Sequence, residues 1–187
     1  NGTSRFVAVE ATIRDNAATG AGGGIYLYGN ALHPGASAQM TRFLDHLPAW
    51  LRNCEGRYGC NQITGNVASR GGAAMVMHGS LRLGQVLVAG NRSTDGGGAA
   101  IHTDSIANVA SPMNRIWLDS AVIAGNQCAG SASTHTPCAT LSMGAGPNQV
   151  HIQHVTMADN ALAVVGSGGG SRQEIYSGPS SLPLGLR

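Results

Sequence analysis

Five segments of this chain repeat one signature: a β-branched or large apolar residue three positions before an asparagine. They read Ile13-Arg14-Asp15-Asn16, Ile63-Thr64-Gly65-Asn66, Val88-Ala89-Gly90-Asn91, Ile123-Ala124-Gly125-Asn126 and Met157-Ala158-Asp159-Asn160. The residue before each asparagine is Gly or Asp, two types that accept the left-handed backbone of a turn. After the first three asparagines a glycine cluster runs into a short alternating strand. These stretches are Gly22-Gly23-Gly24-Ile25-Tyr26-Leu27-Tyr28, Gly71-Gly72-Ala73-Ala74-Met75-Val76-Met77 and Gly96-Gly97-Gly98-Ala99-Ala100-Ile101-His102. Ala139–Met143 and Ala163–Val165 are blurred counterparts in the last two units. The asparagines stand 50, 25, 35 and 34 residues apart. The interval of 25 is the natural unit; the longer ones are one unit plus an insertion, or two units.

Such a unit reads as a strand, an asparagine turn, a glycine turn and another strand. One unit alone cannot bury its inner face, but stacked units can. The pattern therefore predicts an all-β fold, a right-handed parallel β-helix (a solenoid) of about five to six rungs. Asparagines at equivalent turns would stack into a ladder, with their amides bonded along the axis. Asn16, Asn66, Asn91, Asn126 and Asn160 are on this reading scaffold rather than site.

Composition narrows the class. Only 11% of the 187 residues are charged, which leaves disorder or a repeat fold with tight turns, and 42% hydrophobic content argues for the fold. Every basic residue is Arg, net charge is +2 and no basic run occurs, so a nucleic-acid partner is not expected. No apolar stretch is long enough for a membrane-spanning helix.

The alternation of a GG[AG]-plus-apolar motif with an apolar-x-x-Asn motif resembles the repeats of bacterial surface β-helix proteins. Polymorphic outer-membrane proteins, with GGA[ILV] and FxxN motifs, are the nearest comparison. The resemblance spans roughly Phe6 to Asn160, with Ile, Val or Met where those proteins favour Phe. It implies an extracellular or cell-surface location and an adhesive role, with some relatives acting on polysaccharides.

The whole chain is expected to be a single domain, 1–187, and part of a longer protein. Residues 30–60 interrupt the repeat. Met40, Phe43, Leu44 and Leu47 share one side of a helix, so the spacing predicts a short helical insertion near 37–47, stopped by Pro48. It would serve as a lid on the outside of the β-helix or as the wall of a ligand groove. The cysteines form two close pairs, Cys54/Cys60 and Cys128/Cys138, without zinc spacing. Two local disulfides in an oxidising compartment are the simplest account, with four reduced thiols as the rival. The second pair would tie off a polar loop at 127–138. The segment 171–187 is expected to be an irregular tail. Nothing before Phe6 could cap the first rung, so another segment or chain is expected to cover that end.

Aligning the units on the repeat asparagine shows which residues become neighbours. Nine positions before it lie Val7, Arg57, Arg82, Trp117 and His151; seven before, Val9, Gly59, Gly84, Asp119 and Gln153; six before, Glu10, Cys60, Gln85, Ser120 and His154. The outward face of the last two units thus gathers Trp117, Asp119, Ser120, His151, Gln153 and His154. Trp117 would stack on a sugar ring while the polar groups bond hydroxyls; the bland alternative is an ordinary wet sheet face. A second outward stripe joins Tyr28, Met77 and His102. His151 and His154 are three apart on a strand and so do not make a metal site. No cofactor or metal is expected. No stacked carboxylate pair, GxSxG, HExxH or P-loop is present, so the chain leans away from enzymes. Asn1-Gly2-Thr3 and Asn91-Arg92-Ser93 match the N-glycosylation sequon. The expected function is a non-enzymatic structural or adhesive module of a surface assembly; the alternative is a carbohydrate-binding or polysaccharide-degrading one.

Overall fold

A computed structural model of the chain describes residues 4–29, 36–40, 61–104, 114–129, 139–144, 147–160, 164–166 and 173–177. All regular structure among them is β, and every strand pairing is parallel.

The chain visits four sheets in a fixed order. The first pass holds β1 (Arg5–Ala8), β2 (Thr12–Arg14) and β3 (Ile25–Tyr28). The second holds β4 (Ala36–Met40), β5 (Asn61–Thr64), β6 (Val67–Ala68) and β7 (Ala74–Met77). The third holds β8 (Gly79–Gly84), β9 (Val86–Ala89), β10 (Arg92–Ser93) and β11 (Gly98–Asp104). The fourth holds β12 (Asn114–Asp119), β13 (Val122–Ala124), β14 (Gln127–Cys128) and β15 (Ala139–Met143). β16 (Asn148–Gln153), β17 (Thr156–Ala158), β18 (Val164–Gly166) and β19 (Gln173–Ser177) complete the series.

Sheet one runs β1-β4-β8-β12-β16-β19 and sheet two β2-β5-β9-β13-β17. Sheet three runs β6-β10-β14, and sheet four β3-β7-β11-β15-β18. Because β2, β5, β9, β13 and β17 are direct neighbours, each asparagine interval is one pass whatever its length. The extra residues of the long intervals fall between strands, in stretches outside the described residues.

Inward residues alternate along each strand and form one core. Ile63, Leu81, Leu83, Val88, Ile101, Ile116, Ile123, Leu141 and Ile152 are within 1% of full burial. Each such side chain contributes roughly 1.5–3 kcal/mol by leaving water.

Two left-handed corners flank sheet two. The residue before each repeat asparagine is one: Asp15, Gly65, Gly90, Gly125 and Asp159 have φ of 51° to 65°. The other lies six positions before the asparagine, where Glu10, Gln85, Ser120 and His154 have φ of 50° to 52°. Gly125 has open space around its missing Cβ, so only its φ calls for glycine. At Gly72, by contrast, a Cβ would collide with the backbone of Ala99 and Arg92 in the next pass.

The asparagine ladder forms. Nδ2 of Asn16, Asn66, Asn91 and Asn126 each donates to Oδ1 of the next asparagine, ending on Asn160, at 2.8–2.9 Å. Each accepting oxygen also takes the backbone N–H of the preceding asparagine, at 3.0–3.1 Å. A second, shorter ladder opens sheet one. Asn114 Nδ2 donates to Asn148 Oδ1 at 3.1 Å, and Asn114 Oδ1 accepts from the N–H of His78, a left-handed residue with φ 57°.

Three expectations are corrected. No helix covers 37–40: Ala36–Met40 is a strand, hydrogen-bonded between β1 and β8. Ala38 and Met40 point inward with period two, and pairing on both sides uses the backbone groups a helix would need. Residues 41–47 lie outside the described residues. The insertion therefore does not extend unbroken over 30–60. Likewise the loop at 127–138 begins with a strand, since Gln127–Cys128 pairs with β10. The tail is not irregular throughout: Gln173–Ser177 pairs with β16.

Candidate functional site on the outer face of sheet one

The strands of sheet one turn alternate residues outward. In β12, Ile116 and Leu118 face the core, so Arg115, Trp117 and Asp119 face away. Register carries these positions across the sheet. One row runs Arg5, Ser37, Ser80, Arg115 and Gln149. The next runs Val7, Gln39, Arg82, Trp117 and His151. A third holds Gly84, Asp119 and Gln153. By backbone register, β19 extends the first two rows with Glu174 and Tyr176.

Six residues were expected to gather here. Trp117 and His151 do, as neighbours on adjacent strands: their rings are stacked, 5.7 Å between centroids and 9° from parallel. Asp119 and Gln153 are likewise paired in register. Ser120 and His154 sit not on the strands but in the left-handed corner that ends them. The corner turns both back toward Asp119. Ser120 Oγ donates to Asp119 Oδ1 at 3.1 Å, and His154 Nδ1 lies 3.7 Å from the same oxygen. The expectation that His151 and His154 diverge as strand residues therefore gives way to a corner.

The alignment also misplaced one row member. Arg57 stands nine positions before Asn66, but the structure puts Gln39 between Val7 and Arg82. The insertion separates β4 from β5, so counting back from the asparagine lands in the wrong segment. Gln39 and Arg5 were not expected at the site, and they shape it. Arg5 Nη2 donates to Gln39 Oε1 at 3.3 Å. Arg5, Ser37, Gln39, Ser80, Arg82 and Trp117 line a depression of about 210 Å³ that Ala38 also borders. Trp117 thus edges the depression on one side and stacks on His151 on the other. The small residues Ser37, Ala38 and Ser80 lie between larger polar groups and an indole.

The outer face of sheet four departs from its expected stripe. Tyr28 and Met77 are neighbours, but the next residue is Asp104, not His102. His102 lies between Met75 and Ser142. The third glycine cluster begins two residues early relative to the strand pairing, so aligning clusters mis-set the register. His102 is fully buried, and neither ring nitrogen makes a hydrogen bond of good geometry. Burial pushes its pKa down to about 4; Asp104 pulls it up, and Arg70 adds to the lowering.

Among the described residues no cluster of three or more His, Cys, Asp or Glu is placed to hold a metal ion. Cys128 is disulfide-bonded, while Cys54, Cys60 and Cys138 lie outside the described residues. The sequon at Asn91 is not open to modification in the folded chain. Its amide is buried and bonded to Asn126. Asn1 lies outside the described residues. The short ladder of Asn114 and Asn148 escaped the sequence reading, although both stand twelve residues before a repeat asparagine. Comparison with protein-family models, with curated proteins and with solved structures finds no match for this chain.

Proposed function

We propose that this chain is a stretch of right-handed parallel β-helix, each pass a rung, and that it works outside the cell as a non-enzymatic structural and adhesive module of a larger surface assembly. The repeated sheet order and the five-member asparagine ladder support the solenoid. The disulfide at Cys128 supports an oxidising compartment. On β1, the outermost described strand of sheet one, the core-side Phe6 is 47% exposed although its register partner Ala38 is buried. Another segment or chain fits there as a cap.

The adhesive surface is the outer face of sheet one, and its ligand a glycan. One observation carries this: the Trp117–His151 stack beside a depression floored by small residues and edged by Gln39, Arg5 and Arg82. An indole offers a flat apolar surface to a sugar ring, and amide and guanidinium groups bond its hydroxyls. The test is binding of the intact chain to immobilised glycans, with Trp117→Ala beside it. Trp117→Ala should lower retention about tenfold with unfolding unchanged, the order of effect expected of one aromatic anchor. Equal retention by the variant would remove this surface from the function.

A further inference from the structure

Charge on this same face narrows the ligand further. Arg82 and Arg115 occupy adjacent strands and neighbouring rows, and both are exposed. Neither forms an ion pair among the described residues. Arg5, two strands away from Arg82, borders the same depression and spends its bond on the neutral Gln39. The nearest described carboxylate in these strands, Asp119, lies in the third row and is already engaged by Ser120 Oγ and close to His154.

Three cations therefore line one side of the face without a counter-charge among the described residues, in a chain with only 11 basic residues in all. Holding them side by side costs repulsion, and a bound anion relieves it. Guanidinium groups suit planar carboxylates, which they grip with two parallel hydrogen bonds. Adjacent strands are about 4.8 Å apart, so the cations recur along the stacking direction at roughly one and two strand spacings. A ligand meeting Arg5, Arg82 and Arg115 together must be extended and must carry repeated negative charge. It must also lie across the strands.

Resting on the glycan reading above, we propose that the ligand is an acidic polysaccharide bearing carboxylates. The polymer lies across β1, β4, β8 and β12. Its carboxylates pair with Arg5, Arg82 and Arg115, and one sugar ring rests against Trp117. A single-stranded nucleic acid fits less well. It draws on successive aromatic shelves for its bases, and the described strands here offer one stack.

The experiment measures binding of the intact chain to a soluble polyuronate, to dextran, to dextran sulfate and to a thymidine oligonucleotide, each at low and moderate salt. The polyuronate should bind best and dextran not measurably, with affinity falling as salt rises. Arg82→Gln with Arg115→Gln should weaken polyuronate binding about a hundredfold, the effect of losing two charge-assisted contacts. Both residues are exposed, and an unchanged thermal unfolding curve shows that the variant is folded. Equal affinity for dextran, insensitive to the arginines, overturns the acidic assignment and leaves the glycan reading standing. Preference for dextran sulfate or for the oligonucleotide overturns the carboxylate assignment. Binding to none of the four probes overturns the assignment and the glycan reading together.

Discussion

The outer face of sheet one and that of the central strands of sheet four are made by the same rule and end in opposite surroundings, while Tyr26 and Tyr28 on β3 stay 50% and 49% exposed. In both, alternate residues of stacked parallel strands turn away from the core. On sheet one, Arg82 and Arg115 are exposed and Trp117 and His151 are half-buried, their rings stacked on each other. On sheet four, Met75, His102 and Ser142 are 2%, 0% and 0% exposed, and among the described residues neither the His102 nitrogens nor Ser142 Oγ makes a hydrogen bond of good geometry. Arg70 reaches across this region to Asp95 and Asp104, at 4.0 and 3.9 Å. Alternation sets which way a side chain points. It does not set whether water is waiting there.

The comparison presumes a common frame, and breaking that frame should have the largest effect. Asn91→Ala removes the acceptor of the Asn66 backbone N–H and of one Asn66 amide N–H, and the donor to the Ile63 and Ala89 carbonyls and to Asn126 Oδ1, in a dry interior. At about 1–3 kcal/mol for each orphaned group, partly relaxed, the loss should be about 4 kcal/mol in urea unfolding. A loss below about 1 kcal/mol would mean that the ladder is incidental.

Trimming one residue on each face tests the comparison itself. Met75→Ala removes a buried side chain and should cost about 3 kcal/mol. Arg82→Ala, on the exposed face, should change stability by no more than about 0.5 kcal/mol. Equal effects would mean that the two faces do not differ.

Acid sharpens the contrast at a single residue. His102 has a folded pKa lowered to about 4 from 6.5, chiefly by burial. Between those values the unfolded imidazole binds a proton and the folded one does not. Stability is therefore lost as pH falls through 6.5 toward 4. Moving from pH 7.5 to pH 4.5 should remove roughly 2–3 kcal/mol through this group. His102→Gln should abolish that part of the pH dependence, read as a shift in urea midpoint at the two pH values. An unchanged pH dependence would place His102 in water and make the two faces alike.

Several features are legible in the sequence. Gly or Asp before each asparagine marks a left-handed corner, and all five adopt one. The apolar residue three positions earlier faces the core, as Ile63, Val88 and Ile123 show at 0–1% exposure. Trp117 beside His151 followed from counting back along two units without an insertion between strand and asparagine. The corner at Glu10, Gln85, Ser120 and His154 was not legible, because residues with no common left-handed preference occupy it. Strand β4 was missed because Met40, Phe43, Leu44 and Leu47 also satisfy a helical period. Short apolar runs do not separate the two periods.

The sequence by itself determined the parts that repeat: an all-β chain, parallel pairing of equivalent units, and asparagines bonded in a row. Each needs only local turn chemistry and a period of two, which every unit restates. The tertiary structure alone decided what depends on long-range register. It put Gln39 rather than Arg57 beside Arg82, made Arg5 a wall of the depression, and buried His102 while leaving Arg115 in water. Insertions of unequal length sever the link between position along the chain and position in a sheet. Hydrogen bonding between strands restores that link only once the chain is folded.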